Sequence, residues 1–235
     1  MKDTGRKNKD LINLLAKNMH FKRKTIGKFW PIARKGTKYV AVPDHNQYES
    51  LPLVVVIRDM LKLVRTTKEL KKLLYEKKIQ INHKIIRETN YPISLFDILT
   101  LNDMKKSYKA VLSKEKKLIM EEISDKESHE KIYKVMNKKV LGDKKIQLNL
   151  MQGRNIISKE KVSTGDSVVF NLKENKIIKI IPMEKGRTAF VNLGKHAGIS
   201  GKINEIVERG GKNIAKIQMG TDKINVWVEN IIILE

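Results

Sequence analysis

The sequence predicts a multi-domain α+β protein: a basic tail, a small helical module, a central β-rich domain and a C-terminal SH3-like barrel. Apolar residues recur at helical spacing between residues 50 and 77. Short strand-like segments fill residues 103–180. Beyond residue 184, seven glycines separate four further strand-like segments, a pattern typical of small barrels. The predicted domain boundaries are 1–49, 50–102, 103–182 and 183–235.

The charge of the chain indicates an anionic partner. The 235 residues carry 49 Lys and Arg against 26 Asp and Glu, a formal net charge of +23. Small soluble domains usually carry about 2–8 net charges, and a compact protein with a larger excess repels itself until an anion neutralises it. RNA, DNA and an anionic membrane are therefore the candidates at this stage.

Membrane binding and several site chemistries fit the sequence poorly. The longest apolar run, Leu53–Ile57, is far shorter than the roughly 20 residues that span a bilayer, and no signal-peptide core follows the charged Met1–Asp10. Cysteine is absent, which excludes disulfides and thiolate zinc sites. We therefore expect a cytosolic protein without a cofactor, a metal or a small-molecule substrate.

Residues 20–36 interleave cations with aromatic side chains, among them Phe29 and Trp30. Such a segment buries too little apolar surface to fold alone and is expected to become ordered on a partner. Two roles stay open for Trp30: it stacks on a base, or it pins the tail against the protein.

Two helices are predicted between residues 50 and 77. Ser50 is placed as the N-cap of the first helix and Pro52 in its first turn, where a missing N–H costs little. Thr66 and Glu69 form a capping-box pattern at the start of the second helix. The apolar face of the first helix would contain Leu53, Val56, Ile57, Met60 and Val64. The buried stripe of the second would contain Leu70, Leu73 and Leu74.

A small hairpin and a series of strands are predicted to follow. Ile79–Ile81 alternates like a strand, Asn82–Lys84 makes a turn, and a closing strand lies within 94–101. A helix-like or loop interruption is expected at 125–134. The central strands are predicted at 107–112, 118–123, 146–150, 168–171 and 177–181. The C-terminal strands are predicted at 188–192, 202–207, 213–219 and 223–228.

Two segments resemble known RNA-associated modules. Glu49–Leu101, with its hairpin Ile79–Lys84, resembles the S4-type RNA-binding module. Glu184–Ile203 resembles a KOW motif. Together with the basic tail and the central Ile146–Leu150, the order of these parts resembles the archaeal and eukaryotic small-subunit ribosomal protein family S4e from about His20 onward, and the length suits an archaeal member. Residues 1–18 look like an extension, and His83 stands where the module usually has glycine.

The resemblance implies a structural protein that binds and positions small-subunit ribosomal RNA beside neighbouring ribosomal proteins. Phosphate contacts are expected from the tail, by Lys22, Arg23, Lys24, Lys28, Arg34, Lys35 and Lys38, with Trp30 as the possible base-stacking residue. Contacts with a structured RNA groove are expected from Arg58, Lys62, Arg65, Lys68, Lys71 and Lys72. Further RNA contacts are expected from Asn82, Lys84, Arg154, Lys185, Arg187, Lys195 and His196.

Three other functions are weighed against this one. An RNA-modifying enzyme would need a catalytic domain. The sequence shows no nucleotide-binding loop, and its five scattered histidines lack the spacing of metal ligands. A transcription-elongation factor would bind polymerase through the KOW segment, where residues 181–235 carry a net charge of only +2. Nonspecific DNA packaging explains the charge but not three ordered modules.

Overall fold

The computed structural model describes residues 20–47, 49–125, 127–141, 145–219 and 222–235. The extension predicted at 1–18 lies outside these ranges. The chain divides into two compact units. The first contains the described residues up to Lys78 together with Ile86–Ser94, and the second contains Ile79–Ile85 together with Leu95–Glu235. The predicted helical module at 50–102 thus contributes residues to both units.

The first unit combines two small antiparallel ribbons with short helical segments. One ribbon pairs β1 (Phe21–Lys22) with β2 (Tyr39–Val40), and the other pairs β3 (Ser50–Pro52) with β6 (Pro92–Ser94). Its helical segments are α1 (Leu53–Val55), a π-helical stretch at Val56–Met60, and α2 (Thr67–Tyr75).

The prediction for the first helix was wrong in length, in capping and in amphipathic character. Ser50 belongs to a strand, where its Oγ donates to the Asn46 carbonyl at 2.7 Å, and Pro52 is the N-cap. Every residue in 51–57 is buried. The segment therefore has no solvent face, and its apolar run reflects burial on all sides, not a helical stripe.

The prediction for the second helix is confirmed. The Thr66 hydroxyl accepts a hydrogen bond from the Glu69 N–H at 3.3 Å. The Glu69 carboxylate accepts from the Arg65 N–H at 2.8 Å and from the Thr66 hydroxyl at 3.0 Å, and these bonds, the Arg65 one foremost, hold the pKa of Glu69 below its usual value. Leu70 and Leu74 are buried, so the capping box fixes where the apolar stripe begins.

Three five-stranded antiparallel sheets form the second unit. The first has the order β5-β4-β7-β8-β9. Its strands are β4 (Ile79–Ile81), β5 (Lys84–Ile85), β7 (Ile98–Leu101), β8 (Lys106–Leu112) and β9 (Leu118–Ile123). This sheet contains the predicted hairpin and closing strand and continues across residue 102, the predicted end of the helical module.

The central sheet has the order β12-β11-β10-β13-β14. Its strands are β10 (Glu130–Leu141), β11 (Lys145–Leu150), β12 (Asn155–Ser158), β13 (Ser167–Asn171) and β14 (Lys176–Ile181). The interruption predicted at 125–134 is confined to a 3₁₀ turn at Glu127–His129. The sequence reading missed the long β10 because Lys131 and Lys134 occupy buried positions there and break the apolar alternation. The edge strand β12 was also missed.

The C-terminal sheet has the order β18-β17-β16-β15-β19. Its strands are β15 (Thr188–Val191), β16 (Ser200–Arg209), β17 (Lys212–Met219), β18 (Asp222–Trp227) and β19 (Ile231–Ile233). All four predicted strands are present, and β19 adds a fifth. Two further 3₁₀ turns lie at Met151–Gly153 and Val228–Asn230. The described chain is therefore mostly β, with less helix than the predicted α+β class implies.

Candidate nucleic-acid interface

Six cations of the tail are exposed, as phosphate contacts require. They are Lys22, Lys24, Lys28, Arg34, Lys35 and Lys38. The β1–β2 ribbon pairs Lys22 with Tyr39, and the Lys38 ammonium lies 5.4 Å from the centroid of the Tyr39 ring. The paired strands thus hold the backbone at Lys22 and next to Lys38.

Arg23 instead uses its guanidinium to hold the tail together. Its Nε donates to the Thr37 carbonyl at 2.8 Å, one terminal nitrogen to the Ala33 carbonyl at 2.6 Å, and the other to the Thr37 hydroxyl at 3.0 Å. The Arg23 N–H also donates to the Lys38 carbonyl at 2.9 Å. These contacts join the two ends of a segment that was expected to become ordered only on a partner.

Trp30 packs against other aromatic side chains of the tail. Its side chain is only 3% exposed. The Phe21 ring stacks on it with centroids 6.3 Å apart, and the Phe29 ring meets it edge-on at 6.4 Å. A ring packed between two others offers little face to a base, which speaks against the stacking role, and the ring contacts shown here lie within the tail itself.

The helical part of the first unit presents a row of exposed cations. The exposed side chains are Lys62, Arg65, Lys68, Lys71 and Lys72. Arg58 differs from these because it makes a bidentate salt bridge to Asp59, at 2.8 and 2.9 Å. The neighbouring carboxylate partly neutralises Arg58, whereas Lys68, Lys71 and Lys72 project from α2 into solvent.

The Asn82–His83 turn is held from inside the second unit. Both residues have positive φ, 50° and 60°, as a type I′ hairpin turn requires. The Asn82 amide donates to Asp97 Oδ1 at 2.6 Å, and its oxygen accepts from the Ile98 N–H at 3.0 Å. Asn82 therefore builds the turn, while Lys84 beside it is exposed.

His83 has a positive φ, a conformation that favours glycine. Contacts within the second unit stabilise it there. Its Nε2 lies 3.1 Å from the Ser128 carbonyl oxygen and 2.9 Å from His129 Nδ1. Burial lowers the pKa of His83, and the charge of His129 acts in the same direction. The pair joins two histidines that are 46 positions apart in the sequence.

A buried lysine connects the same turn to the central sheet. Lys131 is 1% exposed, and its ammonium donates to Asp97 Oδ1 and to Gln152 Oε1, each at 2.5 Å. The ammonium also lies 4.5 Å from the Tyr133 ring centroid, and Gln152 donates to the Leu95 carbonyl at 2.7 Å. The sequence reading missed this network because a lysine in a strand usually indicates an exposed position.

Arg154, predicted to contact RNA, packs on aromatic rings. Its guanidinium carbon lies 4.2 Å from the Phe170 centroid and 5.9 Å from the Tyr133 centroid. One terminal nitrogen donates to Asn175 Oδ1 at 2.7 Å. These contacts give Arg154 a packing role in the second unit.

In the KOW-like segment, Lys185 and Lys195 are exposed while Arg187 and His196 are half-buried. Gly198 has a φ of +86°, and a Cβ at this position would lie 2.1 Å from the Ser113 carbonyl oxygen. The glycine therefore lets the backbone approach another segment of the same unit closely.

The sequence reading also missed a row of three asparagines across β10, β11 and β12. Asn137 pairs with Asn149, and Asn149 pairs with Asn155. The next row pairs Lys139 with Gln147 and Gln147 with Ile157. Directly opposed residues lie on one face of a sheet, with Cβ atoms about 5 Å apart. Hydrogen-bonding amides and one lysine therefore share this face.

Two features are absent from the part of the chain that the structure describes. Within it, no cluster of three or more His, Asp or Glu side chains is placed to hold a metal ion. Likewise, none of its helices has the length and apolar character needed to cross a membrane.

Comparison with known proteins identifies the family. The family model described as "Ribosomal family S4e" matches residues 104–177. The small ribosomal subunit protein eS4 of Methanocella arvoryzae is 36% identical over 190 residues, covering 80% of this chain and 80% of that protein. The chain belongs to the S4e family of ribosomal proteins. The predicted family is thus confirmed, and the residues that the family model matches include the central Ile146–Leu150, one of the parts on which the resemblance rested.

Further S4e proteins extend the similarity. The eS4 of Nanoarchaeum equitans is 29% identical and covers 91% of this chain and 94% of that protein. The crystal structure of 30S ribosomal protein S4e from Thermoplasma acidophilum has a TM-score of 0.69, covering 79% of this chain and 95% of that chain at 24% identity. The fold described above is therefore that of the S4e family.

Proposed function

We propose that this S4e protein is a structural constituent of the small ribosomal subunit, where it binds and positions ribosomal RNA beside neighbouring ribosomal proteins. The observation that carries the proposal is the 36% identity over most of the chain to a small ribosomal subunit protein. Members of the family are structural proteins, and no observation favours a modifying enzyme or an elongation factor. The protein accordingly acts in cytoplasmic ribosomes.

The exposed tail cations and the α2 lysines are the proposed phosphate contacts. They are supported by their exposure and by the net charge of +23. Each cation that neutralises a phosphate releases counterions, so affinity for RNA falls as salt rises. Lys84, Lys185 and Lys195 are proposed as further contacts on the second unit.

The asparagine row is proposed to contact RNA without adding charge. Amides both donate and accept hydrogen bonds, and RNA helices present 2′-hydroxyls and base edges in a wide minor groove. Asn137, Asn149 and Asn155 would therefore supply contacts that depend less on salt than those of the tail.

Sedimentation of the tagged full chain from cell lysate on sucrose gradients, with and without magnesium, tests the function. We expect stoichiometric co-migration with the small subunit that persists through a moderate salt wash. Recovery in light fractions, or together with RNA polymerase, would exclude the ribosomal function.

A matched pair of quadruple variants tests the tail as principal anchor. Neutralising Lys22, Lys24, Arg34 and Lys35 is expected to weaken incorporation into subunits more than neutralising Lys105, Lys114, Lys116 and Lys117. Arg23 is kept in both variants because its guanidinium holds the tail together. Equal losses from the two variants would remove the tail from that role.

A further inference from the structure

A groove in the first unit holds an almost fully exposed tyrosine. The groove has a volume of about 960 Å³ and is lined by the end of α2, by residues 87–90 and by Asp44. Tyr75, the last residue of α2, is 88% exposed. A ring left in water gains little hydrophobic stabilisation from folding, so the fold itself does not account for an aromatic residue at this position.

Cations surround the tyrosine. Lys71 lies four residues before Tyr75 on α2, which places both on the same helix face. Lys77 and Arg87 line the same groove, and Lys71 and Arg87 are exposed. The acids Asp44 and Glu88 also line it, which leaves one more positive than negative charge.

The opposite rim of the groove has a fixed backbone. The Asp44 N–H donates to the Asn90 carbonyl at 3.1 Å, and the Val54 N–H donates to the Thr89 carbonyl at 2.9 Å. Leu74, which is 1% exposed, also lines the groove. The groove therefore combines an apolar side chain, an amide, a hydroxyl and an exposed aromatic ring, and hydrogen bonds hold the backbone of residues 89–90 on one side of it.

We propose that this groove binds an unpaired nucleotide of ribosomal RNA, with its base stacked on Tyr75 and its flanking phosphates on Lys71 and Arg87. The proposal rests on the proposed function and adds to it a site for single-stranded RNA. Single-stranded RNA is recognised largely through unpaired bases that stack on aromatic side chains, and every base has a face that can stack. The volume lies within the range of ligand pockets.

RNA fits the groove better than a neighbouring protein does. The buried centres of protein interfaces are depleted in lysine and glutamate, whereas Lys71, Lys77 and Glu88 lie around this tyrosine. An aromatic ring between flexible cations is the arrangement that single-strand-binding proteins use, with the ring under a base and the cations along the backbone.

Salt-dependent binding of the full chain to protein-free small-subunit ribosomal RNA tests the site. Tyr75→Ala is expected to weaken binding about 5- to 150-fold, the effect of losing one stacked base, while Tyr75→Phe keeps affinity within about twofold. The slope of log affinity against log salt should not change in Tyr75→Ala. Lys71→Met should reduce that slope by about 0.7–0.9.

Met104→Ala is the matched control, since Met104 is an exposed apolar side chain, 53% accessible, in the second unit. Binding of Tyr75→Ala equal to wild type would overturn the proposal. So would normal binding of this variant to free RNA combined with poor incorporation into subunits, because that result assigns the groove to a protein. Failure of the wild-type chain to sediment with the subunit would instead refute the proposed function.

Discussion

Removing Asp97 should destabilise the second unit far more than the loss of one surface charge. The variant Asp97→Ala removes the carboxylate that pairs with the Lys131 ammonium, which is 1% exposed and also contacts Gln152 and the Tyr133 ring. Breaking a buried ion pair from one side costs about 3–5 kcal/mol because the other charge stays buried without its partner. Asp97 also accepts from the Asn82 amide, so the hairpin turn loses a contact as well.

The size of the effect can be measured by urea unfolding. The chain has two tryptophans, Trp30 in the first unit and Trp227 in the second, so a Trp30→Phe background reports on the second unit alone. With a urea dependence of about 1–3 kcal/mol per M, the midpoint should fall by at least about 1 M. The double variant Asp97→Leu, Lys131→Met removes both charges and should recover most of the loss.

The exposed pair Lys106–Glu122, at 3.0 Å, supplies the control, and Glu122→Ala should leave the midpoint nearly unchanged. A loss in Asp97→Ala below about 1 kcal/mol would show that water reaches the Lys131 ammonium. A double variant as unstable as Asp97→Ala would show that packing around the pair, not its charge, carries the stability.

Three further predictions follow from single contacts. Gly198→Ala should cost about 2–4 kcal/mol of second-unit stability in urea unfolding, through its positive φ and the clash with the Ser113 carbonyl; an unchanged midpoint would contradict it. Burial lowers the pKa of Lys134 to about 8, so unfolding takes up a proton above that pH. The unfolding free energy of wild type relative to Lys134→Met should therefore rise by about 2 kcal/mol from pH 7 to pH 10, and a flat difference would contradict this. Arg23→Lys keeps the charge but loses the fork-shaped donor set, so Trp30 emission should shift to the red and tail proteolysis should accelerate, whereas wild-type behaviour would remove Arg23 from its bracing role.

Strands were predictable where apolar and polar residues alternate between clear turns. β8, β9, β11, β13 and β14 lie within about one residue of their predicted bounds. β10 was not predictable in this way, because Lys131 and Lys134 occupy core positions and their acceptors, Asp97 Oδ1 and the Val228 carbonyl, lie 34 and 94 positions away. Local periodicity contains no information about partners at such separations.

The helical segments show the same contrast: the capping box was predictable from local sequence, and the buried run before it was not. Thr66 and Glu69 act within one turn of chain, so their hydrogen bonds follow from residue types and spacing. The run 53–57 shows no amphipathic stripe because it is buried on every side. Burial on that scale depends on what packs around a segment, which its own residues do not specify.

The predicted RNA-contact residues separate by the same reasoning into two physical classes. Arg23, Asn82 and Arg154 direct their side-chain nitrogens to acceptors within the protein, whereas Lys24 and Lys68 are exposed. Sequence cannot distinguish the classes, because a guanidinium that braces a fold and one that binds phosphate are the same residue type. Experiment can distinguish them. Neutralising a phosphate contact makes the salt dependence of RNA binding shallower. Neutralising a bracing residue lowers the unfolding midpoint, while the protein that stays folded binds RNA with an unchanged salt dependence. The total of 49 Lys and Arg therefore overstates the number of phosphates that the protein can neutralise.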